Sequence, residues 1–222
     1  MPGLKKTRFF KYCLLWAAVS FFLLLGQGNE RLMAGKYSPV VENETSSLEN
    51  LLKAYNIESN DYNLYRAFSE KAQKEGHPGI AYLFRAVSEA INVQKENHAE
   101  AIKTMKGTPK SDLKTPVVQS TEENLQIAIK EESAKYTDLY PVFLKKAREE
   151  RNKIALRTFN FSKSAAEGQF KFLTQASASL EAWEKEKRNF RVCSICGNMV
   201  TALNFSECPI CFNPLDKYFQ VK

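Results

Sequence analysis

Four cysteines near the C-terminus, Cys193, Cys196, Cys208 and Cys211, stand as two Cys-x-x-Cys pairs separated by eleven residues. Each pair can fold into a knuckle, and two knuckles can bring four thiolates to one ion in a tetrahedron. Gly197 follows the first knuckle and suits it, since glycine takes positive φ freely and lets backbone N–H groups turn toward the sulfurs. Phe212 holds the matching place after the second knuckle and suits it less. Two disulfides are the alternative for these residues in an oxidising compartment. The metal reading expects a single ion, iron or zinc, because tetrahedral thiolate sites accept both.

Two glutamates carry the second chemical signal. Helical spacing groups Leu48, Leu51, Leu52, Tyr55, Glu58, Tyr62 and Tyr65 on one stripe. It groups Leu125, Ala128, Ile129, Glu132, Tyr136, Leu139 and Val142 on another. An ionised carboxylate on an apolar stripe is costly unless a metal or a cation meets it. The two stripes also repeat: Glu49, Asn50, Leu51, Ala54, Glu58, Ser59 and Tyr62 recur as Glu123, Asn124, Leu125, Ala128, Glu132, Ser133 and Tyr136, at a constant offset of 74. Repeat-related acids on two apolar stripes point to one shared site.

The elements that position these residues follow from capping and breaking signals. Ser46 to Glu49 reads as a capping box, and the run it opens ends at Gly76. Pro78 opens a second run that ends near Gly107. Residues 107–120 are rich in proline, serine and glycine and read as a crossover linker. Ser120 to Glu123 is a second capping box, opening a third run to about Arg151, and a fourth extends to about Lys187. Two helical hairpins joined by a long crossover give a ferritin-like four-helix bundle over residues 46–187. The expected fold is all-α, with a small metal-knuckle domain at 190–222.

The N-terminus sets an expected compartment. Lys5, Lys6, Arg8 and Lys11 precede an apolar run from Cys13 to Leu25, broken only by Ser20. Thirteen residues suit the core of a signal peptide better than a membrane span, and Gly26-Gln27-Gly28 offers a cleavage site. Residues 1–28 therefore read as a signal peptide or, with Phe9 and Phe10 lengthening the span, as a membrane anchor. Both send the rest of the chain out of the cytoplasm, with membrane contact only through this segment. Cys13 lies within it and leaves the other four cysteines for the metal. The net charge of +7 includes four positive charges in the first eleven residues, and the remainder is mixed Lys/Glu surface. With no arginine-rich stretch or RNA-reading aromatic motif, nucleic acid is not an expected partner.

Residues 46–222 resemble the rubrerythrins, a ferritin-like bundle followed by a rubredoxin-like four-cysteine tail. The resemblance rests on Leu51-Leu-Lys-Ala-Tyr55, Lys74-Glu-Gly76, Ala81-Tyr-Leu-Phe-Arg-Ala86, Thr121-Glu-Glu-Asn-Leu125 and Leu139-Tyr-Pro141, in that order before the cysteines. It implies a homodimer and a redox partner. It also implies two irons that reduce hydrogen peroxide, held by a glutamate from helices 1 and 3 and a Glu-x-x-His motif from helices 2 and 4, and fed by the tail iron. Glu58 and Glu132 match the first two positions. The helix 2 motif falls on Ile91 to Gln94 and the helix 4 motif on Ala166 to Gln169, so apolar residues replace both glutamates and glutamine replaces both histidines. A further family carboxylate falls on Lys135.

A di-iron centre needs anionic oxygens and imidazole nitrogens that these positions lack. Lys135 would repel a divalent cation, by about 4 kcal/mol per unit charge pair at ~4 Å and an effective dielectric of about 20. The expectation is a metal-free polar cluster in which Lys135 stands in for the lost ions. Asp61, three residues after Glu58, can face the same space. His98, one turn or about 5.4 Å beyond Gln94, is the nitrogen candidate for a residual mononuclear site, but a lone histidine near a helix end is more often a plain surface or core residue. Glu167 points about 100° away from the helix 4 position. The sequence thus suggests an exported rubrerythrin-like metal-binding protein with a structural, binding or electron-carrying role. The alternative is a peroxide-reducing oxidoreductase with an altered bundle site.

Overall fold

The computed structural model describes residues 45–184 and 188–222, so the expected leader at 1–28 lies outside the described residues. Four helical rods form the bundle. Helix α1 spans Ser47–Lys74 and α2 spans Pro78–Thr104. The third rod is α3, Thr121–Ala134, a π-helical turn, Lys135–Leu139, and α4, Tyr140–Glu149. The fourth is α5, Lys153–Ala178. Among the described residues no helix is long and apolar enough to cross a membrane.

Both expected capping boxes form. Ser46 accepts from the Glu49 amide while its own N–H donates to Glu49, and Ser120 and Glu123 repeat the exchange. Each box satisfies two backbone groups that a helix start would leave unpaired. The crossover lies along α1, held by two asparagines: Asn56 Oδ1 accepts from Asp112 N at 2.7 Å, and Asn60 Oδ1 accepts from Lys114 N at 2.8 Å.

The repeat does not keep one offset. It holds at 74 as far as Tyr62 and Tyr136, and then becomes 75, pairing Leu64, Tyr65, Phe68, Ala72 and Glu75 with Leu139, Tyr140, Phe143, Ala147 and Glu150. The π turn takes up the extra residue, since its i→i+5 pattern absorbs one more residue than an α turn. After it the aromatic packing matches again. Tyr65 meets Phe68 edge-on at 83°, and Tyr140 meets Phe143 at 84°; Phe84 and Phe159 complete the two triads. The helix starts match too, with Glu75 accepting from Thr121 N and Glu150 from Ser47 N.

The same turn corrects the expected third stripe. Val142 was placed facing the core, but it is 51% exposed, and Phe143 and Leu144 are buried instead. A one-residue π insertion rotates everything after it by about 100°. The fourth helix also ends before Lys187. It breaks at Ser179, and a short α6, Leu180–Glu184, turns Trp183 into the core beside Phe190.

The tail is a three-stranded antiparallel sheet of β1 (Arg191–Cys193), β2 (Met199–Val200) and β3 (Tyr218–Gln220), in the order β2-β1-β3. It packs on α2. Phe190, Val192, Met199 and Val221 join the bundle's own core, Asn97 Nδ2 donates to Ile195 O at 2.8 Å, and the Tyr82 hydroxyl donates to Val221 O.

Candidate metal centres

At the middle of the bundle the π turn aims Lys135 inward. Its Nζ lies 3.0 Å from Glu58 Oε2, Asp61 Oδ2 and Glu132 Oε1, and all four side chains are buried. Two tyrosines close the cluster crosswise. Tyr65 of α1 donates to Glu132 Oε1 at 2.9 Å, and Tyr140 of α4 donates to Glu58 Oε1. These tyrosines are the first offset-75 pair that points inward, so the π turn restores the symmetry of the site as well as the packing.

Electrostatics keep the ammonium charged. Burial pulls the Lys135 pKa down, but Asp61, Glu132 and Glu58 outweigh it and hold it well above the usual value. Burial pushes Glu132 up to about 7, with Lys135 opposing, and raises Glu58 for the same reason. One cation faces three acids, and the cluster eases the imbalance by retaining a proton near neutrality.

The replaced positions are in the core. Ile91, Gln94, Ala166 and Gln169 are fully buried, and neither glutamine amide finds a hydrogen-bond partner among the described residues. Glu167 faces solvent and pairs with Lys171 at 2.7 Å. His98 is buried with both ring nitrogens engaged: Nδ1 is 3.0 Å from Thr158 Oγ1, and Nε2 is 3.1 Å from Ser162 Oγ and 3.2 Å from Tyr140 Oη. Because Tyr140 gives its proton to Glu58, the contact to His98 is best made with Nε2–H donating and Nδ1 accepting. Burial, with the Lys135 charge adding, lowers the His98 pKa to about 3, so the ring stays neutral. This ring orders Tyr140 through hydrogen bonds. The counterparts of His98, Ser162 and Thr158 in the other half are Leu173, Val87 and Leu83, so only the Tyr140 side is polar.

In the tail the four sulfurs lie within 4.8 Å of one another, and none is in a disulfide. Two contacts run between the knuckles: Cys193 Sγ to Cys211 Sγ is 3.7 Å and Cys196 Sγ to Cys208 Sγ is 3.6 Å. A tetrahedron with metal–sulfur bonds of about 2.3 Å needs edges of about 3.8 Å, so the donor set fits one ion. Among the described residues no other group of His, Cys, Asp and Glu gathers three ligand atoms as closely. Gly197 and Phe212 both take positive φ, +77° and +57°, and their amides close the turns on Cys193 O and Cys208 O at 2.9 Å. Phe212 therefore makes the knuckle despite its side chain. Gly197 is needed for space as well, because a Cβ there would stand 2.8 Å from Ala90 O and 3.2 Å from the Gln94 side chain.

Behind Cys208 sit two residues that the spacing did not single out. Tyr218 Oη donates to Cys208 Sγ at 3.2 Å, and Asn198 Nδ2 donates to Tyr218 Oη at 2.7 Å. Burial and the Cys208 contact push the Tyr218 pKa up, so the hydroxyl keeps its proton. Tyr65, Tyr140 and Lys135 share one sequence signal, polar residues on an apolar stripe, and the change of offset hides the pairing of the two tyrosines.

The rubrerythrin family model matches residues 49–168, more than half of the chain. The chain belongs to the rubrerythrin family. It is 32% identical to nigerythrin of Nitratidesulfovibrio vulgaris over 190 residues, which cover 83% of this chain and 93% of that one. It is 30% identical to rubrerythrin-2 of Clostridium acetobutylicum, over 76% of this chain and 92% of that one. Nigerythrin in its fully reduced, all-ferrous state superimposes with a TM-score of 0.75 at 29% identity, over 85% of this chain and 91% of that one. The ferritin-like bundle with a rubredoxin-like tail is therefore the family's fold, and rubrerythrins bind iron. The four-cysteine group could hold a metal.

Proposed function

We propose that this is an exported rubrerythrin whose bundle has exchanged its pair of irons for the Lys135 ammonium, and whose tail retains one metal ion. The observation that carries the reading is Lys135 Nζ at 3.0 Å from three carboxylates. A divalent ion and an ammonium compete for the same oxygens, and Ile91 and Ala166 offer none in exchange. The residues present in the bundle do not fit two irons, so no redox step is assigned to that centre. Iron at the cysteines makes the protein an electron carrier, and zinc makes the tail a structural clamp. A homodimer and an external redox partner accompany the reading, as in the family. Export rests on the leader at 1–28 alone.

Element analysis of the purified native chain tests this. The reading expects one iron or zinc per chain, retained by Glu58→Gln and lost by Cys208→Ser. Three irons per chain with peroxide turnover would replace it with the oxidoreductase reading. One observation favours that second reading: Gly197, next to the Cys196 ligand, abuts Gln94, the helix 2 position that matches a family ligand.

A further inference from the structure

We propose that Tyr218 sets the reduction potential of iron at the four cysteines by donating a hydrogen bond to the Cys208 sulfur. The inference rests on the electron-carrying form of the reading above. The geometry is a relay of two bonds. Asn198 Nδ2 donates to Tyr218 Oη at 2.7 Å, which leaves the phenol proton aimed at Cys208 Sγ, 3.2 Å away. Both residues are buried, at 8% and 7% exposure, and the Phe205 ring packs on the tyrosine at 5.9 Å. Few rotamers are open to a side chain held from three directions, so the donor is fixed in place before any metal arrives.

The physical consequence follows from charge. Ferric iron with four thiolates carries one net negative charge, and ferrous iron with four thiolates carries two. A hydrogen bond to a ligating sulfur is stronger when that sulfur is more electron-rich, so it stabilises the reduced state more than the oxidised one. The potential therefore rises when the bond is made. Water does not substitute well here, because Cys208 is the fully buried member of the second knuckle while Cys211 is partly exposed. Neither Asn198 nor Tyr218 is a metal ligand, and each is placed by β-structure: the Asn198 carbonyl accepts from Cys193 N at 2.9 Å, and Tyr218 pairs with Cys193 across β1 and β3.

The test uses the full chain loaded with iron. Tyr218→Phe removes one oxygen and keeps the ring. It should make reduction about tenfold less favourable, a fall of about 59 mV for a one-electron couple, and shift the sulfur-to-iron charge-transfer bands to lower energy. Asn198→Ala should move both readouts in the same direction by less. An unchanged potential and spectrum in a Tyr218→Phe chain with full iron occupancy would overturn the proposal. A second measurement stands if that variant does not load: in the wild-type chain carrying cadmium-113, the Tyr218 hydroxyl proton should couple to the metal across the bond to Cys208, and absence of coupling contradicts the bond itself. Metal content of the native chain decides the parent reading separately, since a zinc-bearing native protein would leave the iron-loaded potential shift measurable.

Discussion

The bundle centre and the cysteine tail each gather acidic ligands around a point, and they differ in where the positive charge comes from. In the bundle it is covalent: Lys135 reaches Glu58, Asp61 and Glu132 at 3.0 Å from within the chain. In the tail four sulfurs stand 3.6–3.7 Å apart across the knuckles, with no ion pair to them among the described residues. A buried anionic set must find a counter-charge somewhere. One site has it built in, and on the proposed reading the same residue closes it to metal. The other could take its counter-charge from an ion in solution, which would link its fold to its metal.

That difference can be broken from either side. The largest effect is expected in the tail, where Cys193→Ser or Cys208→Ser removes a ligand from a site whose apparent metal affinity can be worth about 10–16 kcal/mol. Such a variant should lose stoichiometric metal, and residues 188–222 should become protease-sensitive while the bundle melts as before. Full metal retention would show that fewer than four thiolates suffice.

Next is Lys135→Ala, which leaves two glutamates and an aspartate buried without a counter-charge and should cost about 3–5 kcal/mol at neutral pH. The pH dependence has a definite sign. Glu132 titrates at about 7 in the folded chain against an ordinary value of 4.5, so the folded state binds more protons between those limits. Its contribution to stability is present below about 4.5 and is lost as pH rises through about 7. Without the lysine the loss should steepen, and denaturant melts should show the variant recovering toward the wild type in acid. A pH-independent deficit would mean that packing, and no charge, is what Lys135 supplies.

The two halves of the bundle centre offer a finer contrast. Tyr140→Phe should cost about 1–3 kcal/mol, because Glu58 Oε1 loses this donor while Lys135 sits on the other oxygen. Tyr65→Phe should cost less, since Glu132 Oε1 still receives Lys135. Equal costs in chemical denaturation would contradict the asymmetry in how Lys135 meets the two glutamates. The smallest effect contrasts the two knuckles. Phe212→Gly relieves a left-handed residue and should stabilise the metal-loaded tail by about 1 kcal/mol, whereas Gly197→Ala should weaken it by meeting Ala90 O.

Much of this was legible in the sequence because it is written in local chemistry. Cysteine spacing gave the tail, two Ser-x-x-Glu boxes gave the starts of α1 and α3, and the family's ligand positions brought Glu58, Glu132 and Lys135 together before any coordinates. Asp61 was legible as well, being the repeat partner of Lys135. What escaped was non-local or out of register. The π turn cannot be read from a single helical period, and it moved Val142 outward and concealed the pairing of Tyr65 with Tyr140. Tyr218 lies ten residues beyond its sulfur, and only the pairing of β3 with β1 brings it back. His98 was visible as a residue but not as a hydrogen-bonding hub, because its partners come from α4 and α5.

The claim that Lys135 replaces the bundle metal is tested most directly by iron anomalous diffraction from crystals of the chain grown with excess ferrous iron. The account predicts anomalous density only at Cys193, Cys196, Cys208 and Cys211, with the Lys135 ammonium still among Glu58, Asp61 and Glu132. Two strong peaks between Glu58 and Glu132, with the Lys135 side chain displaced, would contradict it.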